Sequence, residues 1–247
     1  PEGTGSARVT LDLEDPSVDL DEESVAHWRD EDGVRRPHPV HTAQHVLAAL
    51  GGYRVTRDSR FLARAVTNAR HLLTIGERDE EGRLWFPYRF PHRYYDVEMP
   101  VPWWSAMAQG QALSVFTRLA ELQPDEPAWN EAAADVFRTF SCWRSLGKPW
   151  TSLIDEQGHL WFEEYAGDVE PLKVMNGHIF ALFGIYDYAS HTGDEHACDL
   201  FDGGATTALA FADVIRVPGD VSYYCAREGY CQRPEWQNVY YHGVHID

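Results

Sequence analysis

Acids, phenols and a guanidinium recur in three short stretches of this 247-residue sequence. Glu163, Glu164 and Tyr165 follow Trp161-Phe162, and Tyr223, Tyr224 and Arg227 lie in "VSYYCAREGY". Tyr240, Tyr241, His242 and His245 lie in "NVYYHGVHID". A carboxylate set among phenols can move protons on and off carbon, and an arginine beside them can clamp a substrate carboxylate. A phenol near pKa 10 is a poor base at neutral pH unless a neighbouring positive charge lowers it, which Arg227 and the histidines could supply. Each tyrosine could equally be a core residue with its hydroxyl tied off. Other machinery is missing: there is no Gly-rich phosphate loop, no G-x-S-x-G and no H-E-x-x-H. Cys225, Cys231, His242 and His245 invite a zinc reading, but C-x5-C and H-x2-H are poor spacings for one. No metal or cofactor is therefore expected. Cys225 and Cys231 could pair across a short loop, or all four cysteines could be free thiols.

A repeating architecture would position these stretches. After an acidic lead-in over residues 1–36, with one strand at "ARVTLDL", apolar spacing predicts a helix over His41–Arg54, ended or bent at Gly51-Gly52. A second helix follows Asp58 and closes at Gly76, and "DEEGRLWFPYRF" makes a turn and an aromatic strand. The cycle recurs with helices over 104–122 and 127–143 and then "DEQGHLWFEEY". It opens a third time at "NGHIFALFGIYDYAS", turns at Thr192-Gly193-Asp194, runs a helix to about Val214, and a fourth inner helix follows Tyr241. Trp85 and Trp161 lie 76 residues apart. Such α-hairpin repeats predict an all-α dominated fold, an incomplete α/α toroid over 37–247 with short β segments between repeats. First helices would be inner and buried on both sides; second helices would be outer and amphipathic. The small residues of "WWSAMAQGQAL" would let inner helices approach closely. Gln109 would point at the mouth of the ring, beside Trp104 and Tyr88 of the aromatic segments, as sugar contacts; the alternative is that backbone groups satisfy its amide.

Composition narrows the partners. A net charge of −18 with only two lysines, Lys148 and Lys173, argues against nucleic acid or an anionic membrane. It fits a salt-adapted surface or a GC-rich source. No apolar run is long enough to span a bilayer, and no basic-then-apolar leader is visible. The aromatic fraction, 13%, suits stacked sugars as well as core packing.

The runs "WWSAMAQGQALSVFTRL", "WFEEY", "NGHIFALFGIYDY" and "YYHGVHI" resemble the C-terminal helical domain of D-glucuronyl C5-epimerases, over roughly residues 38–247. The resemblance implies an α/α toroid that converts glucuronate to iduronate within heparosan-type chains by proton abstraction at C5. It implies Glu164 and Tyr165 as a catalytic pair, Tyr224 and Arg227 as a Tyr-x-x-Arg set, Tyr241 as the tyrosine of Y-H-x-x-H, and Asn176 at the head of the N-G helix. The acid/base assignment expected is Tyr241 with Glu164, assisted by Tyr165 and Tyr224. Arg227, Asn176, His242 and His245 would contact substrate, a uronic-acid polysaccharide or oligosaccharide, and a homodimer is compatible with such an enzyme. A uronan lyase working by β-elimination and a non-catalytic glycan-binding toroid are the alternatives; a glycoside hydrolase would need two carboxylates across a bond, which Glu163/Glu164 do not supply.

Overall fold

The computed structural model describes residues 11–94 and 96–246. They fall in two compact units, one ending at Ile75 and one beginning at Gly76. In the first, β1 (Trp28–Arg29) pairs antiparallel with β2 (Arg35–Arg36), and α1 (Pro39–Thr56) packs on α2 (Ser59–Ile75). The second opens with β3 (Glu77–Arg78) paired to β4 (Leu84–Trp85), then the hairpin β5 (His92–Tyr94) and β6 (Val97–Met99), then α3 (Ala106–Leu122) and α4 (Pro127–Phe137). Another hairpin, β7 (Ser152–Ile154) with β8 (Leu160–Phe162), leads to α5 (Met175–Thr192) and α6 (Glu195–Ile215), and α7 (Val239–Ile246) packs on α5.

One aspartate builds the tight turn of each of three hairpins, β1–β2, β3–β4 and β7–β8. The N–H groups of Asp30, Asp79 and Asp155 donate to the carbonyls of Val34, Arg83 and His159 at 3.0, 3.1 and 3.0 Å. Their Oδ1 atoms accept the N–H groups two and four residues on, Asp32 and Val34, Glu81 and Arg83, Gln157 and His159. A glycine with positive φ completes each turn, Gly33, Gly82 and Gly158 at +77°, +74° and +87°. The first turn falls in the stretch expected to be a lead-in. Its strands carry Arg35 and Arg36 where the later copies carry Leu-Trp, so the apolar signal is absent; Arg36 instead pairs with Asp30 at 2.7 Å. "ARVTLDL" lies mostly outside the described residues.

Helix α1 runs straight through Gly51-Gly52 rather than ending there. The second glycine is required by contact: a Cβ on Gly52 would lie 2.5 Å from the Phe61 ring of α2. Likewise α3 and α5 meet backbone to backbone, since a Cβ on Gly110 would overlap Ala181 and one on Gly184 would overlap Gly110. The small residues of α3 thus serve close approach. Beyond Phe137, α4 gives way to a 3-10 turn over Arg138–Ser141. Helix α5 is not enclosed all round: Phe183 and Tyr186 are 50% and 56% exposed.

A polar side chain at one repeated position pins α3, α5 and α7 to the segment before each. Gln109, His178 and His242 each donate their backbone N–H to the residue four earlier, Ser105, Val174 and Asn238. Gln109 Oε1 accepts the N–H of Phe86 at 3.0 Å, His178 Nδ1 that of Phe162 at 3.0 Å, and His242 Nδ1 that of Ser222 at 3.2 Å. The other ends are also bonded: Gln109 Nε2 donates to Leu84 O and Thr139 Oγ1, and His178 Nε2 to Gly204 O at 2.9 Å.

Candidate active site

Glu164 follows β8 by two residues and turns its carboxyl toward the first turn of α5. There Asn176 Nδ2 donates to Oε2 at 3.1 Å, and Gly177 leaves the space the acid fills. A Cβ at Gly177 would lie 2.5 Å from Glu164 Cβ and 2.6 Å from Oε2. The Asn-Gly pair that opens the helix is therefore a socket for one carboxyl group. Tyr224, which follows α6 on the far connector, donates its hydroxyl to Glu164 at 3.2 Å and shares a 3.3 Å bond with the hydroxyl of Tyr165. With one proton per phenol, an ionised Glu164 orders the chain Tyr165 to Tyr224 to Glu164. The ring of Tyr241, on α7, lies 5.6 Å from that of Tyr224.

Electrostatics follows from burial without a counter-ion. Glu164 is 8% exposed, and the lost hydration raises its pKa to about 8, with the neighbouring Glu163 adding to the rise and the phenols and amide opposing it. Tyr165 and Tyr224 are pushed well above 10 by burial and then by the charge of Glu164, and Tyr241 is raised by the same two causes. The shift in the phenols thus runs opposite to the lowering expected from nearby cations. The Arg227 guanidinium stacks 4.8 Å above the Tyr230 ring and makes no ion pair among the described carboxylates.

Several candidates stand elsewhere. Gln109 is fully buried in its pinning role, and its amide is satisfied by backbone and Thr139. His242 and His245 lie within α7, not before a helix, and both face Ser222; His245 Nδ1 is 2.6 Å from Ser222 Oγ, and burial lowers its pKa to about 4. Trp104 packs against the core cluster of Trp150, Leu153 and Trp161. Tyr88 is 2% exposed and stacks 3.9 Å from Trp103. Nothing is described of the Tyr240 side chain. Glu163 is buried as a structural anchor, accepting the N–H groups of Tyr165 and Lys173 at 3.2 and 2.8 Å. Cys225 and Cys231 form a disulfide, which removes the two thiolates a zinc site would need. No cluster of three metal-binding side chains occurs among the described residues, and no described helix is long and apolar enough to cross a membrane.

Two further rings belong to the cluster. Tyr94 stacks on Tyr165 and Tyr224 at 5.4 and 4.8 Å, and His92 on Tyr165 at 5.6 Å. The period-2 alternation of aromatic rings in "HRY" was the available signal.

Residues 78–247, most of the chain, match the family described as D-glucuronyl C5-epimerase C-terminus. The chain belongs to this family. Among curated members of the C5-epimerase family, the D-glucuronyl C5-epimerase of Caenorhabditis elegans is 35% identical over 160 residues, 60% of this chain and 25% of that protein. The chain thus spans about a quarter of that relative's length. Solved structures of similar fold include a family 76 α-mannanase from Bacteroides thetaiotaomicron (TM-score 0.57, 13% identity, 83% of this chain and 55% of that one). A D-mannose isomerase (0.53, 13%, 92% and 53%) and the cellobiose 2-epimerase of Bacillus thermoamylovorans (0.53, 13%, 82% and 52%) are also similar. At such identity these structures show the fold alone: this C5-epimerase family member is an α/α toroid of helical hairpins, with short β-hairpins between repeats.

Proposed function

We propose that the chain epimerises glucuronate to iduronate at C5 within a heparosan-type polysaccharide, with Glu164 as the base. The supporting observation is a buried carboxyl, that of Glu164, socketed by Asn176 and Gly177 and bonded to a phenol, its pKa pushed up to about 8 by burial. The C5 hydrogen lies alpha to a carboxylate, so its removal leaves an enediolate with added negative charge. A carboxylate of raised pKa holds the abstracted proton more firmly than an ordinary one and remains partly ionised near neutrality. Inversion needs a proton delivered to the opposite face. Tyr241, still protonated at that pH and carried on a different element, is the assigned donor, with Tyr165 and Tyr224 relaying protons to and from Glu164. Arg227, unpaired among the described carboxylates, is the assigned clamp for the substrate carboxylate.

The test is C5 exchange in deuterated solvent on a heparosan-type chain. Deuterium uptake without chain cleavage is expected, and Tyr241→Phe should lose turnover while retaining affinity. An unsaturated product would mean β-elimination instead. No exchange by the folded, full-length protein on any glucuronate polymer would reject the reading.

A further inference from the structure

The buried floor of the cluster, Glu164, Tyr165 and Tyr224, supplies polar groups but no accessible face on which a sugar ring could lie. The rings that stand over it are only half-buried. Tyr241 is one, on α7; the other is Tyr94, on the β5–β6 hairpin, which no assignment above includes. Register His92↔Met99, Arg93↔Glu98 and Tyr94↔Val97 puts His92 and Tyr94 on one face of β5 and Arg93 on the other. Tyr94 then stacks on both floor phenols within 29° of parallel, and its ring also touches Trp236 at 5.5 Å. The hairpin is tied where it turns: Asp96 accepts a hydrogen bond from the Tyr230 hydroxyl, and the Tyr230 ring in turn lies 5.2 Å from Trp236. The loop that holds Tyr94 against Tyr165 and Tyr224 is thus fastened to the segment that carries Tyr224.

We propose that Tyr94 is a substrate-contacting residue of this site, its ring packing on the apolar face of the uronate and fixing the sugar above Glu164. This rests on the epimerase reading and deepens it. A charged clamp holds only the substrate carboxylate; setting the C5–H over a base also requires a flat apolar wall, which an aromatic ring provides. The working part is the ring, not the hydroxyl.

Solvent exchange into a heparosan-type chain tests it in the full-length protein. Tyr94→Ala should raise KM about tenfold with a smaller change in kcat, and Tyr94→Phe, which keeps the ring, should recover most of that loss. Asp96→Ala, which removes the acceptor of the Tyr230 hydroxyl and so unties the hairpin without touching the floor, should raise KM in the same direction and serves if Tyr94→Ala does not fold. Unchanged KM in the folded Tyr94→Ala and Asp96→Ala variants, or a tenfold loss of kcat in Tyr94→Phe, overturns the inference while leaving the epimerase reading intact. No exchange by the unaltered, folded protein overturns that reading, and this inference with it.

Discussion

The carboxyl of Glu164 is held by an amide and a phenol, neither of them charged, so their hydrogen bonds offset only part of the lost hydration. Two measurable consequences follow. Exchange should rise with pH along a limb of apparent pKa about 8, and Glu164→Gln should abolish it. A carboxyl raised from 4.5 to about 8 on folding binds its proton more tightly in the native state. Its contribution to stability is therefore full below the unfolded value and is lost as pH climbs through the folded one. Glu164→Gln should accordingly be more stable than the parent at about pH 9, by on the order of a few kcal/mol, with the gap closing towards pH 4. Thermal unfolding of both proteins across that range reads it, and a pH-independent gap would contradict the burial argument.

At the scale of elements, three side chains share one task. Gln109 and His178 each present an acceptor to the preceding segment and a donor to a carbonyl, so an amide should substitute for the imidazole. His178→Gln is expected to cost little. His178→Leu leaves the Phe162 N–H and the Gly204 carbonyl unpaired, at about 1–3 kcal/mol each. Urea denaturation distinguishes the two, and equal losses would show that shape rather than hydrogen bonding sets the position. This position also marks a limit of the sequence. Polar residues near the starts of buried helices, Gln109 and His242 among them, look as much like substrate contacts as like groups satisfied by backbone; only aligning the first turns of α3, α5 and α7 exposes the shared role. The meeting of Glu164, Tyr165, Asn176 and Tyr224 was legible because family motifs carry it. Tyr94 was not, because its hairpin lies outside the repeat and its contacts span 71 and 130 residues of sequence.

For the whole molecule, a net charge of −18 opposes a polyanionic substrate at long range. Raising ionic strength from about 0.01 to 0.15 M shortens the screening length to about 8 Å. The KM for a heparosan-type chain should therefore fall over that interval, the reverse of what a basic glycan-binding surface would give; a rising KM would place a cationic path at the site. The repeat order was legible from the Trp-Phe pairs and the capping residues. The first hairpin was hidden because arginines occupy its strands, and the bounds of the two units were hidden because no glycine- or proline-rich linker marks residue 75.

The three pins do not share one chemistry. Burial lowers the pKa of His178 from 6.5 to about 4, so its bond to Phe162 is secure above the higher value and fails as acid passes the lower. Gln109 has no proton to gain. Strong acid should thus loosen the third repeat while the second stays fastened, and the protein would come undone one module at a time, the Glu164 segment among the first to go.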